Sequence, residues 1–228
     1  MNAVAIILGI VIIILIFILY RYFTTTATRL TPTSIIDLNL DQTANTITSI
    51  SSPTSNQYAY GIWIYVKSWS KDQKKTIFNH NGAIKVYLDE LKPILKVDVI
   101  GSTTDVKTPT IITENFPIQK WVFIIVSMDT SFLDVYLDGK LMKSVKITNV
   151  NQPPLVPKIE LGNSSPFKAF DAVITNFYRW TTPMDPGTAW DYYMKGNGQG
   201  GVMGAATAYG VKMQVLQNNV ETATYQLM

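Results

Sequence analysis

Residues 3–20 read AVAIILGIVIIILIFILY, eighteen positions without a charge, and Arg21 follows at once. An apolar run with no polar face predicts a helix that needs lipid around it. About 20 helical residues, rising about 1.5 Å each, cross the roughly 30 Å hydrocarbon core. Fourteen of the eighteen are Ile, Leu, Val or Phe. At about −0.4 kcal/mol each on an insertion scale they favour the bilayer by about 6 kcal/mol. The expected transmembrane helix occupies residues 1–23, with Ile6, Ile10, Ile14 and Phe17 in its apolar body. Tyr20 and Tyr22 form an aromatic collar, and Arg21 can snorkel to the headgroups. A cleaved signal peptide is the alternative. It is disfavoured because no basic residue precedes the run, the run is long, and TTTAT is a poor cleavage sequence.

Residues 24–56 are rich in Thr, Ser, Asn and Pro and predict a polar stalk, with one strand in SIIDLNL (34–40). From residue 57 the period changes to two. Tyr58, Tyr60, Ile62, Ile64 and Val66 alternate with Ala59, Gly61, Trp63 and Tyr65, and neither set is strongly polar. That pattern predicts a central strand covered on both faces. Further strands are expected at 76–80, 84–88, 94–100, 108–113, 121–128, 132–137, 140–147, 158–162 and 172–180. Asn81-Gly82 and Asp138-Gly139 are hairpin turn signals. One helix is predicted where Asp185-Pro186 opens TAWDYYMKG. A Gly/Ala stretch and a final hairpin (209–216 with 222–227) make up residues 199–228. The fold class is therefore all-β, an antiparallel two-sheet sandwich behind one membrane helix.

Charge and composition narrow the function classes. Net charge is +3, lysines are scattered singly apart from the doublet Lys74-Lys75, and no basic block exists, so nucleic acid is not indicated as a partner. The absence of cysteine agrees with a reducing compartment. Arg21 and Arg29, both C-terminal to the apolar run, favour placing the long remainder on the cytosolic side. Asn163-Ser164-Ser165 is a glycosylation sequon, with Pro166 behind it disfavouring use.

Catalytic chemistry is hard to assemble. The four glutamates, Glu90, Glu114, Glu160 and Glu221, have no acid at i+2 or i+4, so the paired carboxylates of a glycosidase are missing. His80 is the single histidine, flanked by Asn79, Asn81 and Gly82, and is expected to be a turn residue. Zinc lacks ligands. GNGQGG lacks the Lys-Ser/Thr of a phosphate loop and predicts a flexible linker. Weak binding candidates are Trp69, at a strand end, with Asn79 and Asn81.

The segments YGIWIYVKSW (60–69), TIFNHNGAIKVYL (76–88), KWVFIIVSMDTSFLDVYLDGKL (120–141), IELG (159–162), FDAVITNFYRW (170–180) and AWDYYMKGNG (189–198) follow one another in an order that resembles the concanavalin A-like, laminin G-like jelly roll. The resemblance spans residues 57–198. It implies a jelly roll whose structural residues include Trp63, Trp121, Tyr136, Gly139, Gly162 and Trp180, with the tryptophans between the sheets. It also implies calcium as a possible ligand, for which Asp171 is the weak candidate. The layout of anchor, domain and Gly-rich tail is similar to membrane-anchored proteins of large icosahedral DNA viruses. That resemblance implies a minor virion component in an inner membrane, its domain facing the capsid. The expected protein is thus non-enzymatic and needs no cofactor. Its partners would be the bilayer and other proteins, capsid proteins in the viral case. A lectin binding glycans is the alternative.

Overall fold

The structure is a computed structural model. It describes residues 8–16, 19, 27–31, 35–38, 46–71, 75–100, 109–163 and 170–197, and the backbone of 211–217 and 220–227. Two antiparallel sheets face each other, as the alternating pattern predicted. The first has the order β1-β13-β4-β9-β10-β11, with β2 also on β13. Its long members are β4 (Gln57–Val66), β9 (Trp121–Asp129), β10 (Phe132–Leu137), β11 (Lys140–Lys146) and β13 (Ala172–Trp180). The second has the order β3-β12-β5-β6-β7-β8. It comprises β5 (Lys75–His80), β6 (Ile84–Leu88), β7 (Leu95–Val99), β8 (Thr110–Thr113) and β12 (Ile159–Leu161), with β3 (Thr46–Ile47) at its edge. β14 (Val211–Gln217) and β15 (Val220–Leu227) form the expected hairpin.

The segment expected as a stalk is partly built into the sandwich. β1 (Ala27–Arg29) and β2 (Ile36–Asp37) pair with β13, and β3 pairs with β12. These strands are two or three residues long. β2 falls inside the strand expected at 34–40; the patterns of β1 and β3 are too short to announce them, and the exposed edges of β13 and β12 recruit them. Leu38, beyond β2, is fully buried in the core.

Two apolar cores result. The larger lies between the sheets and includes Tyr58, Tyr60, Ile62, Ile64 and Val66 of β4. The smaller lies on the outer face of the first sheet, beneath α2 (Pro186–Met194). Trp63, Trp180 and Tyr136 belong to this second core, and Trp121 packs at its margin. The expectation that the tryptophans fill the space between the sheets is therefore corrected. On β4 the reason is parity: residue 63 shares a face with 59 and 61, opposite to 60 and 62. Trp63 stacks on Phe123 at 5.0 Å, and Trp180 meets Tyr192 of α2 edge-on at 4.8 Å. The helix starts as expected: the Asp185 side chain accepts from the Thr188 N–H at 2.9 Å.

A bulge in β13 sets which residues face inward. Register shifts between Thr175 and Tyr178, and Asn176 has φ +51°. Before the bulge Ala172 and Ile174 point into the inter-sheet core; after it Phe177 does. The extra residue exchanges the two faces. Arg179 consequently lands inside and Trp180 outside.

The turns set the two ends of the sandwich. Ala27 pairs with Trp180, which pairs with Ala59, which pairs with Ser127. The chain thus joins the sandwich at the end that holds Gln57, the β9–β10 turn, the β5–β6 turn and the 147–158 crossing, here termed the proximal end. The distal end carries the β6–β7 turn and Asp138-Gly139. Both Asp138 (φ +48°) and Gly139 (φ +77°) are left-handed, as a two-residue hairpin requires. Gly162 is also left-handed, at φ +77°.

Residues 8–16 are helical (α1), and every large hydrophobic side chain there is exposed. Ile10 and Ile14 lie in this stretch; Ile6, Phe17, Tyr20, Arg21 and Tyr22 lie outside the described residues. Among the described residues no helix is long and apolar enough to cross a membrane.

Candidate functional site

The outer face of the second sheet carries a groove of about 310 Å³ near the distal end. Period two makes this face: Lys85 and Tyr87 of β6 and Lys96 of β7 point outward, while Ile84, Val86, Leu95 and Val97 point into the core. The turn residues Asp89, Glu90 and Leu91 close one side, and Lys75 and Thr76 of β5 the other.

The groups are held in fixed pairs. The Asp89 carboxylate accepts from Lys96 Nζ at 2.5 Å and from the Leu91 and Lys92 N–H groups at 2.9 and 3.2 Å. The Lys96 hydrogen bond, then these backbone donors, hold its carboxyl at about 2, below the ordinary carboxylate range. Asp89 is therefore ionised and unsuited to protonate a leaving group. The Tyr87 hydroxyl donates to Asp98 at 3.1 Å, and burial raises its phenol well above the usual value. Lys85 Nζ lies 5.0 Å from the Tyr87 ring centre. Lys75 is almost fully buried; its Nζ donates to the Glu90 carbonyl at 2.8 Å and sits 4.3 Å over the Trp69 ring. The groove thus offers an aromatic ring, ammonium donors and a carboxylate, a set that binds polar or anionic groups.

The predicted binding residues are not gathered. Trp69 is half-buried, with Lys75 over its ring, rather than an open platform. Asn79 and Asn81 sit at the other end of β5 and bond to each other at 2.7 Å. Four residues of strand, roughly 13 Å, separate Lys75 from Asn79. The Asp171 carboxylate accepts from Ser68 Oγ at 2.5 Å. Among the described residues no group of three His, Cys, Asp or Glu side chains could hold a metal. Asn163 of the sequon is buried, its oxygen accepting from the Thr76 N–H at 3.0 Å.

A second polar cluster lies in the inter-sheet core, and sequence reasoning missed it. Arg179 is 2% exposed. Its Nε donates to Tyr60 Oη at 3.2 Å, and its other nitrogens donate to the Ser51 and Ser52 carbonyls at 2.5 and 3.1 Å. The Tyr60 hydroxyl also shares a hydrogen bond with His80 Nδ1 at 3.1 Å. His80 Nε2 is buried and, among the described residues, has no hydrogen-bond partner. His80 is therefore the last residue of β5 and a core residue, not a turn residue. Burial, reinforced by Arg179, lowers its pKa from 6.5 to about 4. Burial likewise raises the Tyr60 phenol to about 12. The cluster is sealed from solvent and ties residues 51–52 to the sandwich. Its role is structural.

A family model described as the concanavalin A-like lectin/glucanases superfamily matches residues 40–188. Similar solved structures include the binding domain of botulinum neurotoxin DC in complex with SialylT, at 15% identity and TM-score 0.52 over 66% of this chain and 39% of that one. An HCR/D F1240A mutant matches at 15% identity and TM-score 0.54, over 66% and 40%. The same toxin domain in complex with rat synaptotagmin II matches at 14% and 0.52, over 66% and 39%. This chain thus spans about two fifths of those chains, and at such identities the likeness is one of fold. No curated protein matches the chain in sequence.

Proposed function

Because the chain belongs to the concanavalin A-like lectin/glucanases superfamily, we propose that it is a non-enzymatic recognition domain held at a bilayer, where it binds other proteins. The observation that carries this reading is the contrast between its two parts. From β1 to α2 the chain gathers most of its large apolar residues into two closed cores. In residues 8–16 it leaves Leu8, Ile13 and Ile16 60%, 68% and 61% exposed. A helix apolar on all sides finds its partner in lipid. In its finer form the reading makes the protein a minor virion component that ties an inner membrane to a capsid, with the domain on the cytosolic side. Alkaline extraction of membranes and protease protection of residues 24–228 in sealed vesicles test it. Retention in the pellet with the domain cleaved from the cytosolic face is expected; release into the wash removes the anchor. Recovery with purified particles tests the finer form.

A glycan is the second reading, favoured by the groove around Tyr87. One of the similar toxin domains is in complex with SialylT and another with rat synaptotagmin II, so sugar and protein partners both merit trial. A glycan array probed with the chain in detergent decides. Binding lost in Y87A supports the groove, and no binding at millimolar sugar removes this reading.

A further inference from the structure

The segment after β11 crosses from one sheet to the other over the proximal end, and it carries an apolar tip. Pro153 and Pro157 are buried, while Leu155 and Val156 between them are 74% and 77% exposed. These are the highest exposures of any large hydrophobic side chain among the described residues. The tip is held, not loose. The Asn151 N–H donates to the Ile100 carbonyl at 3.2 Å, and the Asn81 N–H donates to the Lys158 carbonyl at 3.0 Å. Pro154 packs on Gly82 so closely that a Cβ there would lie 3.1 Å from its Cδ. Proline further restricts φ on both sides of the tip.

The surroundings suit a membrane surface. Lys158 and Lys146 are exposed beside the crossing, and Phe132, 48% exposed, stands in the same row as Lys146. The carboxylates nearby are engaged: Asp129 accepts from Gln57 at 2.9 Å and Glu160 pairs with Lys158 at 2.7 Å.

The place where the chain joins the sandwich identifies the occupant. Ala27 lies at this same end, and only three residues separate it from Phe23, the close of the apolar segment. That stretch reaches at most about 14 Å when fully extended. The proximal end is therefore tethered close to the point where the chain leaves the bilayer. We propose that Leu155 and Val156 enter the interfacial layer of the bilayer spanned by residues 3–20, with Lys146 and Lys158 at headgroup level. This rests on the membrane-anchor reading. It adds a second attachment that stops the domain from swivelling and turns its distal end, with the groove, away from the membrane.

The chain has no cysteine, so single cysteines can carry an environment-sensitive fluorophore. L155C and, at the distal end, L91C are placed separately in the full chain, reconstituted in mixed phosphatidylcholine and phosphatidylserine vesicles. Flotation after an alkaline wash reads the anchor alone. The expected result is that both proteins float. The probe at 155 should shift to the blue, lose quenching by aqueous iodide and gain quenching by lipid-borne nitroxide. The probe at 91 should stay water-like. Flotation with a water-like probe at 155 overturns the proposal and spares the anchor. Failure to float overturns both.

Discussion

Gly61 and Trp180 share one site: a Cβ on Gly61 would lie 2.8 Å from two ring carbons of the Trp180 indole and 3.2 Å from Phe123. The glycine is present for space, not for backbone freedom, since it lies mid-strand in β4. The indole can lie flat on the sheet beneath α2 only because β4 has no side chain there. G61A should therefore destabilise by about 1–3 kcal/mol through overpacking. Denaturant unfolding of the chain in detergent reads this, and G61A/W180F should recover part of the loss.

Arg179 is held by Tyr60 and by the Ser51 and Ser52 carbonyls. R179M removes the buried charge and the hydrogen bonds that hold the exposed Ser51 and Ser52, each charge-assisted bond contributing about 1.5–3 kcal/mol at most. The segment before β4 should loosen first. Amide exchange should accelerate at residues 51–56 more than at β9, and equal acceleration in both would contradict the tie.

His80 makes stability depend on pH with a definite sign. Its pKa is lowered from 6.5 to about 4 in the folded chain, so the unfolded chain binds the extra proton between those values. The contribution is complete above about 6.5 and is lost as pH falls towards 4, approaching about 3 kcal/mol. H80Q keeps an acceptor for Tyr60 without titrating. Its unfolding midpoint should be flat over that window where the parent's falls.

Asn176 holds the bulge in β13 with φ +51°, and its side chain donates to the Asn197 carbonyl at 2.9 Å. A β-branched residue resists this conformation, so N176V should cost about 1–2 kcal/mol or more. N176G should cost less, losing only the hydrogen bond. Thermal midpoints of the two variants, ordered this way, check the claim.

Much of the architecture was legible because strands announce themselves by alternation and turns by residue type. β4, β5, β6, β9, β10 and β13 fall close to where period two placed them, and Asp138-Gly139 turns as its φ preferences require. The helix followed from Asp185 and Pro186. The candidate site was not legible. Lys85 and Tyr87 share a face by alternation, but only the pairing of β6 with β7 sets Lys96 beside Tyr87. Trp69 stands at a strand end, where a rim aromatic is expected, but Lys75 covers its ring. β2 falls inside the strand expected at 34–40, whereas β1 and β3 escaped because their pairing partners, not their own residues, make them strands.

Local pattern established an apolar segment of bilayer-spanning length, the positions of the main strands and turns, and from them an antiparallel sandwich. These depend on local period and turn chemistry, which each residue shares with near neighbours. Only tertiary contacts set which faces of β4 and β13 lie inside. β4 is apolar on both faces, so parity could not say that Tyr60 meets the opposite sheet while Trp63 meets a helix. In β13 a one-residue bulge exchanges the faces, sending Arg179 inward and Trp180 out. Such choices rest on contacts between residues more than a hundred positions apart, such as Arg179 with Tyr60, and no local pattern encodes them.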